Sequence, residues 1–178
     1  MHPEITIAYV GLGSNLGDRA GNLLLAVRGL MEASFVVNKL SAIYETEPVG
    51  LETDDKFLNM VAEIHLRQVS PTQMMARLLR IEYLLGRREK SVKRPRTVDL
   101  DILFFGDHQM DTEFLILPHP RLHLRKFVLT PLAEIAANLM HPALRKSVSE
   151  LLAETDDVSM VERWNPIVRQ QHELAANS

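Results

Sequence analysis

The chain reads Thr97-Val98-Asp99-Leu100-Asp101-Ile102-Leu103-Phe104-Phe105, in which two acidic residues alternate with apolar ones before an uninterrupted apolar run. Such alternation indicates a β-strand, because successive side chains of a strand point to opposite faces of the sheet. Asp99 and Asp101 therefore share one face, about 7 Å apart at Cα. We expect Leu103 and Phe105 to follow them on that face. The stretch predicts a strand with paired carboxylates at one end and buried apolar residues at the other.

A basic segment precedes this strand directly. Residues 87–96 contain six basic residues and one acidic residue, a local charge of +5, and among them are Arg87, Arg88 and Arg96. Two neighbouring carboxylates repel each other unless a cation relieves the repulsion, and hard oxygen ligands suit Mg²⁺. Arginine and lysine bind phosphate oxygens. The sequence thus places carboxylates that can bind a metal next to basic side chains that can bind phosphate. This combination indicates an enzyme that transfers phosphoryl groups of a nucleotide.

Composition narrows the class of protein. The chain has 178 residues, 46 % of them hydrophobic, which is enough for one domain with a substantial core. Its net charge is −3 and it has no cysteine, so the basic charge is local and thiolate chemistry is excluded. The sequence shows no signal-peptide pattern and no apolar run approaching a membrane span. We therefore expect a cytoplasmic protein with no membrane and no nucleic-acid partner.

The pattern of strands and helices predicts the fold class. Strands are predicted at residues 5–12, 35–44, 57–66 and 98–105. Helices are predicted after the first and third strands, and the second helix has a capping box in Ser70 and Gln73, with Gly86 at its end. The order β-α-β-β-α-β is the split βαβ pattern. It predicts an α+β fold with a ferredoxin-like core, an antiparallel-rich sheet with helices packed on its faces.

The rest of the chain adds smaller elements. A weak strand pair is predicted to end near residue 117, and helices are predicted at residues 127–137 and 147–153. No internal repeat or low-complexity linker divides the chain. We predict one domain at residues 1–154, followed by a partly ordered C-terminal tail at residues 155–178.

Six short motifs identify a family that the chain resembles. They are Gly13-Ser14-Asn15-Leu16, Thr46-x-Pro48-x-Gly50, Phe57-Leu58-Asn59, Glu82 with Gly86-Arg87, Pro95-Arg96-Thr97-x-Asp99-Leu100-Asp101-Ile102, and Pro118-His119-Pro120-Arg121 with Arg125 and Phe127. In order and spacing the chain closely resembles the 6-hydroxymethyl-7,8-dihydropterin pyrophosphokinases of folate biosynthesis, over about residues 5–152. The resemblance implies transfer of diphosphate from ATP to the pterin's hydroxymethyl group, release of AMP and use of two Mg²⁺. It implies these two small-molecule substrates and no obligate protein partner.

The resemblance also implies roles for individual residues. Asp99 and Asp101 would bind the metals, with Arg87 and Arg96 as catalytic cations. The nucleotide would contact Glu82, Arg88, Ile102, His119, Pro120 and Arg125. The pterin would contact Thr46, Pro48, Val49, Phe57, Asn59 and Phe127. Phe57 and Phe127 would enclose its flat ring, and the Asn59 amide offers a donor and an acceptor to its polar edge.

Each motif also has a plainer explanation. An isolated Asp-x-Asp is usually the solvent face of an edge strand, and a basic run is usually a solvated loop. Gly13-Ser14-Asn15 alone reads as an ordinary turn, and it lacks the Gly-Lys-Ser/Thr of a Walker A loop. Phe57 and Phe127 alone read as core residues, and a lone loop histidine such as His119 is most often incidental. No strong general base is evident, so an aspartate or a water would accept the proton.

Two other functions compete with the pyrophosphokinase. An Asp-x-Asp also holds a metal on nucleotide-sugars in glycosyltransferases, but those usually need a larger nucleotide-binding α/β domain. Ferredoxin-like domains also bind RNA on their sheets, but the RNP-type aromatic motif is missing from this sequence. One assay distinguishes these three functions. Only the pyrophosphokinase should release AMP from ATP in a reaction that requires both Mg²⁺ and the pterin.

Overall fold

A mixed helix and sheet architecture is seen in the computed structural model, which describes residues 4–48, 55–86 and 97–166. The strands are β1 (Thr6–Ser14), β2 (Val36–Leu40), β3 (Tyr44–Thr46), β4 (Phe57–Leu66), β5 (Asp99–Phe105), β6 (Met110–Asp111), β7 (Ile116–Leu117) and β8 (Val161–Arg163). The helices are α1 (Arg19–Glu32), α2 (Pro71–Leu84), α3 (Lys126–Ala136) and α4 (Val148–Glu154). Over these described ranges, no helix has the length and apolar character needed to span a bilayer.

The main sheet has the order β5-β1-β4-β3-β8, with β2 also paired to β4, and its pairs are antiparallel. Strands β1 and β2 are joined through α1, and β4 lies between them. That arrangement is the split βαβ unit, so the predicted α+β ferredoxin-like core is confirmed.

Apolar residues form one cluster on each face of the sheet. Helices α1 and α2 cover one face, where Leu23, Leu30 and Leu78 are fully buried. Helices α3 and α4 cover the other, where Leu129 and Val148 are fully buried. Burying one such leucine contributes roughly 1.5–3 kcal/mol, so each helix is held mainly by packing. The prediction that helices pack on the faces of the sheet is confirmed.

The helix ends follow the sequence signals. The Ser70 hydroxyl accepts a hydrogen bond from the backbone N–H of Gln73, and the Gln73 side chain accepts one from the N–H of Ser70. Beyond the last turn of α2, Gly86 has a φ of +100°, a conformation that glycine adopts without strain. The predicted capping box and glycine stop of α2 are therefore confirmed.

The strand predicted at residues 35–44 is wrong in one respect, because it is two strands. Four steps along the chain from Leu40 to Tyr44 face only three steps along β4, from Ala62 to Asn59. The extra residue cannot stay in the ladder. Ser41 fills the gap: its backbone N–H donates to the carbonyl of Val61, and its hydroxyl accepts from the Val61 N–H, each at 2.9 Å.

The expectation that Phe105 shares a face with the two aspartates is also wrong. In the pairing of β1 with β5, Tyr9 faces Phe104 whereas Val10 faces Ile102, so Leu103 is an extra residue in β5. A bulge of this kind shifts the alternation of all later side chains. Leu103 and Phe104 both join the α3 cluster, and Phe105 joins the α1 and α2 cluster.

Part of the predicted tail adds to the sheet. Strand β8 pairs with β3, and Trp164 packs against the α1 and α2 cluster. Residues 167–178 lie outside the described residues, and the boundary at residue 154 stays a prediction.

Candidate active site

Three strands bring one carboxylate and an amide into one row across the sheet. Asp99 of β5 faces Gly13 of β1, and Gly13 faces Asn59 of β4. Directly opposed residues project to the same face, which here is the face covered by α3. In the next row on that face, Asp101 is opposite Gly11. The central strand thus presents two glycines between the acidic residues and the amide.

Two side chains of β4 occupy the position that a side chain of Gly13 would need. A Cβ atom added there would lie 2.8 Å from Oδ1 of Asn59 and 3.8 Å from Cδ1 of Phe57. Glycine within a strand marks a close approach of other groups to the backbone. The missing side chain lets the Asn59 amide and the Phe57 ring lie directly against β1.

Asn59 is held by its neighbour on β3. Its amide nitrogen donates to Oγ1 of Thr46 at 2.7 Å, and Thr46 is fully buried. Thr46 faces Phe57 in the register of β3 and β4, and Phe57 is half-buried. Pro48, two residues beyond Thr46, is also half-buried. The structure therefore brings Thr46, Phe57 and Asn59 together as predicted neighbours.

His119 lies beside the aspartates. Its backbone N–H donates to the carbonyl of Leu103 at 2.9 Å, and its Nδ1 accepts from the N–H of Arg121 at 3.2 Å. Burial lowers the pKa of His119; the charges of Asp101 and Asp99 oppose that shift, whereas those of Arg125 and Arg121 add to it. Burial thus favours the neutral ring, and because Nδ1 accepts from Arg121, the proton of that neutral ring is on Nε2.

Arg125 and Phe127 lie at the start of α3. The Arg125 guanidinium carbon is 5.5 Å from the centroid of the Phe127 ring, within the range of a cation–π contact. Both side chains are half-buried, and Phe127 packs against the cluster on the α3 face. The two residues therefore present a cation and an aromatic ring on the same side of the sheet as the aspartates.

A cleft of about 230 Å³ opens next to Asp101. Its lining includes Met75, Asp101, Ile102, His119 and Pro120, together with residues 112–116. Asp101 and three residues predicted to contact the nucleotide, Ile102, His119 and Pro120, thus share one depression.

Glu82 has a different environment from the one expected for a nucleotide contact. Its side chain is 2 % exposed, and its Oε1 accepts a hydrogen bond of 2.7 Å from the backbone N–H of Leu100. Leu100 lies between the two aspartates, so Glu82 fixes β5 to α2 at that point. A contact of Glu82 with the nucleotide stays a prediction.

Four predicted site residues fall outside the part of the chain that the structure describes. They are Val49, Arg87, Arg88 and Arg96. Their assignments stay predictions from the sequence.

Two residues near the site were not singled out from the sequence. Gly11 carries a signal that could have been used, because Gly11 and Gly13 repeat at the two-residue period of one strand face.

Glu134 of α3 accepts hydrogen bonds from the N–H of Ala42 and, at 2.7 Å, from the hydroxyl of Tyr44. Tyr44 faces Asn59 in the register of β3 and β4. Glu134 carries no sequence signal, because its partners are 90 and 92 positions away.

The fold and these groups describe a small α+β domain with carboxylates, a histidine and an arginine on one face of its sheet beside a cleft. The sequence profile of 7,8-dihydro-6-hydroxymethylpterin-pyrophosphokinase (HPPK) matches residues 9–137. The chain belongs to this family.

Relatives and solved structures agree with the family. The chain is 49 % identical over 130 residues to the 2-amino-4-hydroxy-6-hydroxymethyldihydropteridine pyrophosphokinase of Bacillus subtilis (strain 168), covering 72 % of this chain and 77 % of the relative. The enzyme of the same name from Aquifex aeolicus (strain VF5) is 37 % identical over 146 residues, covering 82 % of this chain and 90 % of that one. A crystal structure of Plasmodium falciparum HPPK-DHPS with pteroate superposes with a TM-score of 0.70 at 15 % identity, covering 86 % of this chain and 45 % of that one, and shows the fold alone.

Membership of the family confirms the predicted enzyme. The protein is a pyrophosphokinase of folate synthesis that acts on the hydroxymethylpterin with ATP as co-substrate. The family therefore favours the pyrophosphokinase over the glycosyltransferase and RNA-binding alternatives.

Proposed function

We propose that Asp99 and Asp101 hold two Mg²⁺ ions while diphosphate passes from ATP to the hydroxymethyl group of the pterin and AMP is released. The observation that carries the proposal is the pairing of these two half-buried carboxylates with Gly13 and Gly11. Both carboxylates lie on the α3 face of the sheet opposite residues of β1 that have no side chain, so no side chain of β1 stands beside them.

The donor set fits magnesium. Across residues 4–48, 55–86 and 97–166, no group of three or more histidine, cysteine or acidic side chains is gathered as a metal cage. Mg²⁺ is typically held by one or two carboxylates, with the remaining positions taken by phosphate oxygens and water. When bound, the metal would neutralise charge on the phosphates and polarise the phosphorus that reacts.

The cleft beside Asp101 suits the nucleotide. Ile102 and Leu115 supply apolar surface for a base, and His119 supplies an N–H donor close to the carboxylates. Arg125 adds positive charge on the same side. We infer that the base enters this cleft and that the triphosphate runs from it past His119 toward Asp101 and Asp99. Arg87, Arg88 and Arg96 would supply further cations to the phosphates.

The other side of the row suits the pterin. Asn59 keeps its amide oxygen and one N–H for a ligand after donating to Thr46, which matches a ring edge that both accepts and donates. Phe57 and Phe127 would pack against the ring, and Thr46, Pro48 and Val49 would line its remaining edge. The hydroxymethyl group would then point across Gly13 toward the carboxylates.

The reaction needs alignment more than it needs a strong base. The hydroxymethyl oxygen forms a bond to the β-phosphorus of ATP, and the bond from that phosphorus to the oxygen bridging to the α-phosphorus breaks. AMP departs with the bridging oxygen, and the hydroxyl proton passes to an aspartate or to water. Positioning and charge neutralisation are the main contributions that protein groups make to such transfers.

A metal-binding measurement tests the proposal directly. Mn²⁺ can replace Mg²⁺ as a paramagnetic probe, with a non-hydrolysable ATP analogue and the pterin both present. We expect two Mn²⁺ bound per parent chain and fewer in Asp99→Asn and Asp101→Asn. An unchanged stoichiometry in both folded variants would overturn the assignment. The cytoplasmic location and the lack of an obligate protein partner stay predictions from the sequence.

A further inference from the structure

Arg19, the first residue of α1, makes two contacts at the edge of the candidate pterin pocket. One terminal nitrogen donates to the backbone carbonyl of Lys56 at 2.8 Å, and the other forms an ion pair of 2.7 Å with Oε2 of Glu45. The Arg19 side chain is only 13 % exposed and that of Glu45 22 %. A guanidinium this sheltered has little screening by water, so its contacts are stronger than those of a surface pair.

The two partners occupy equivalent places on neighbouring strands. Glu45 directly precedes Thr46, the last residue of β3, and Lys56 directly precedes Phe57, the first residue of β4. Thr46 and Phe57 face each other as the outermost pair of that ladder. The ladder of β3 and β4 has only three such pairs, and the ends of short ladders open easily. Arg19 ties both strands together at the end that would open first.

Local helix physics does not explain an arginine at this position. The macrodipole of a helix disfavours positive charge in the first turn, and the first turn of α1 has no acidic residue to offset it. The N-cap carboxylate of Asp18 is engaged by the N–H of Gly21, and the two tertiary contacts give the Arg19 guanidinium partners of its own.

We infer that Arg19 is a positioning residue for the pterin: it keeps Thr46 and Phe57 paired, and thereby keeps Thr46 bonded to Asn59. This inference rests on the proposed pterin pocket. Arg19 contacts Glu45 of β3 and the residue before β4, both on the pterin side of the site, so its loss should act on pterin affinity and leave the phosphate chemistry in place.

The test is steady-state AMP release, with the pterin varied at saturating ATP and then ATP varied at saturating pterin. Arg19→Met removes both contacts and keeps a good helix former. Arg28→Met is the matched control, because Arg28 lies on the same helix with a 74 % exposed side chain paired to Glu32. We expect Arg19→Met to raise the KM for the pterin by about tenfold, since small misplacements of binding groups have effects of this size or larger. We expect kcat and the KM for ATP to change less than about twofold, and Arg28→Met to match the parent.

Two conservative variants keep the inference testable if Arg19→Met does not fold. Arg19→Lys keeps the charge but cannot reach both acceptors at once, and Glu45→Gln keeps an acceptor oxygen without the charge. Each should raise the pterin KM by less than Arg19→Met. A pterin KM at the parent value in every folded variant would overturn the inference, as would equal losses in kcat and in both KM values.

Asn59→Ala serves as the benchmark for the pocket itself. If Asn59→Ala raises the pterin KM and the Arg19 series does not, the inference alone fails. If Asn59→Ala leaves the pterin KM unchanged, the proposed pocket fails and the inference falls with it.

Discussion

The two halves of the candidate site are organised by different forces. The pterin half consists of Thr46, Phe57 and Asn59 on β3 and β4, and its two polar side chains are joined by a neutral hydrogen bond, with the Arg19–Glu45 ion pair behind them at the strand ends. The nucleotide half consists of Asp99, Asp101, His119 and Arg125, and it gathers opposite charges beside a cleft. Strand β1 separates the halves with Gly11 and Gly13.

This difference predicts which of the two ligands should bind with an affinity that depends on salt concentration. Neutral hydrogen bonds in a buried pocket are insensitive to salt, whereas charge contacts with a polyanion are screened. The pterin half should therefore discriminate by shape and hydrogen bonding, and the nucleotide half by charge. The following substitutions separate the two.

The largest effect is expected in the nucleotide half. Asp101→Asn keeps the shape of the side chain but removes its charge, so kcat should fall by roughly 10³-fold, about 4 kcal/mol of transition-state stabilisation. Pterin affinity measured without nucleotide should not change. Asp107→Asn, at an exposed turn residue, is the control and should turn over normally. Near-parental kcat for Asp101→Asn at saturating Mg²⁺ would contradict the division of roles.

A glycine substitution tests the boundary between the halves. In Gly13→Ala the new Cβ would lie 2.8 Å from Oδ1 of Asn59, too close for the amide to keep its position. Pterin affinity should weaken by about 1–3 kcal/mol through the lost hydrogen bonds. Gly11→Ala is the matched change, because its Cβ meets Leu103 at an ordinary 3.5 Å, and calorimetry should find its pterin affinity unchanged. Equal effects of the two substitutions on pterin binding would show that Asn59 does not face the ligand.

A smaller effect is expected within the pterin half alone. Thr46→Val keeps the side-chain shape and removes the acceptor for the Asn59 amide, so pterin affinity should weaken by about 1 kcal/mol. The affinity should fall equally at low and high salt, because the lost bond is uncharged. Thr6→Val at the far end of β1 controls for the substitution itself. A salt-dependent loss for Thr46→Val would mean that charge contributes to the contact with the pterin itself.

The smallest effect concerns pH and the nucleotide half. Burial lowers the pKa of His119, so the unfolded chain takes up this proton more readily than the folded one. The contribution of His119 to the free energy of unfolding is fully present above the ordinary histidine pKa of 6.5. It decreases as the pH falls from 6.5 toward the lower pKa of the folded protein. The free energy of unfolding, measured by urea denaturation between pH 7.5 and 5.5, should therefore fall less in His119→Asn than in the parent protein. His141, whose pKa is also lowered by burial, keeps its own contribution in both proteins. Identical declines in the two proteins would show that His119 titrates as it does in the unfolded chain.

Local signals in the sequence predicted local structure well. The capping box at Ser70 and Gln73, the bounds of β4 and the alternation at Asp99 and Asp101 depend on residues close together in the chain. The neighbours Phe57, Asn59 and Thr46 were indicated by the family resemblance rather than by any single pattern. Phe57 and Asn59 belong both to a family motif and to a predicted strand, and the structure places them next to Thr46.

Contacts between distant residues were not predictable in the same way. The bulge at Leu103 arises from the pairing of β5 with β1, and it moved Phe105 to the opposite face. The break between β2 and β3 arises from a mismatch in length with β4. No signal near Glu82 in the sequence indicates that its carboxylate is buried and accepts the N–H of Leu100, 18 positions away. In each case the partner strand, not the local sequence, decided the outcome.

Strand β8 has a consequence for self-association. It covers the free side of β3, the short strand that ends in Thr46. An uncovered strand edge offers unpaired backbone groups that can pair with an edge of another molecule and lead to aggregation. By pairing there, the three residues of β8 take the edge position of the sheet from β3, so the backbone groups of the pterin half are not the ones offered for intermolecular pairing.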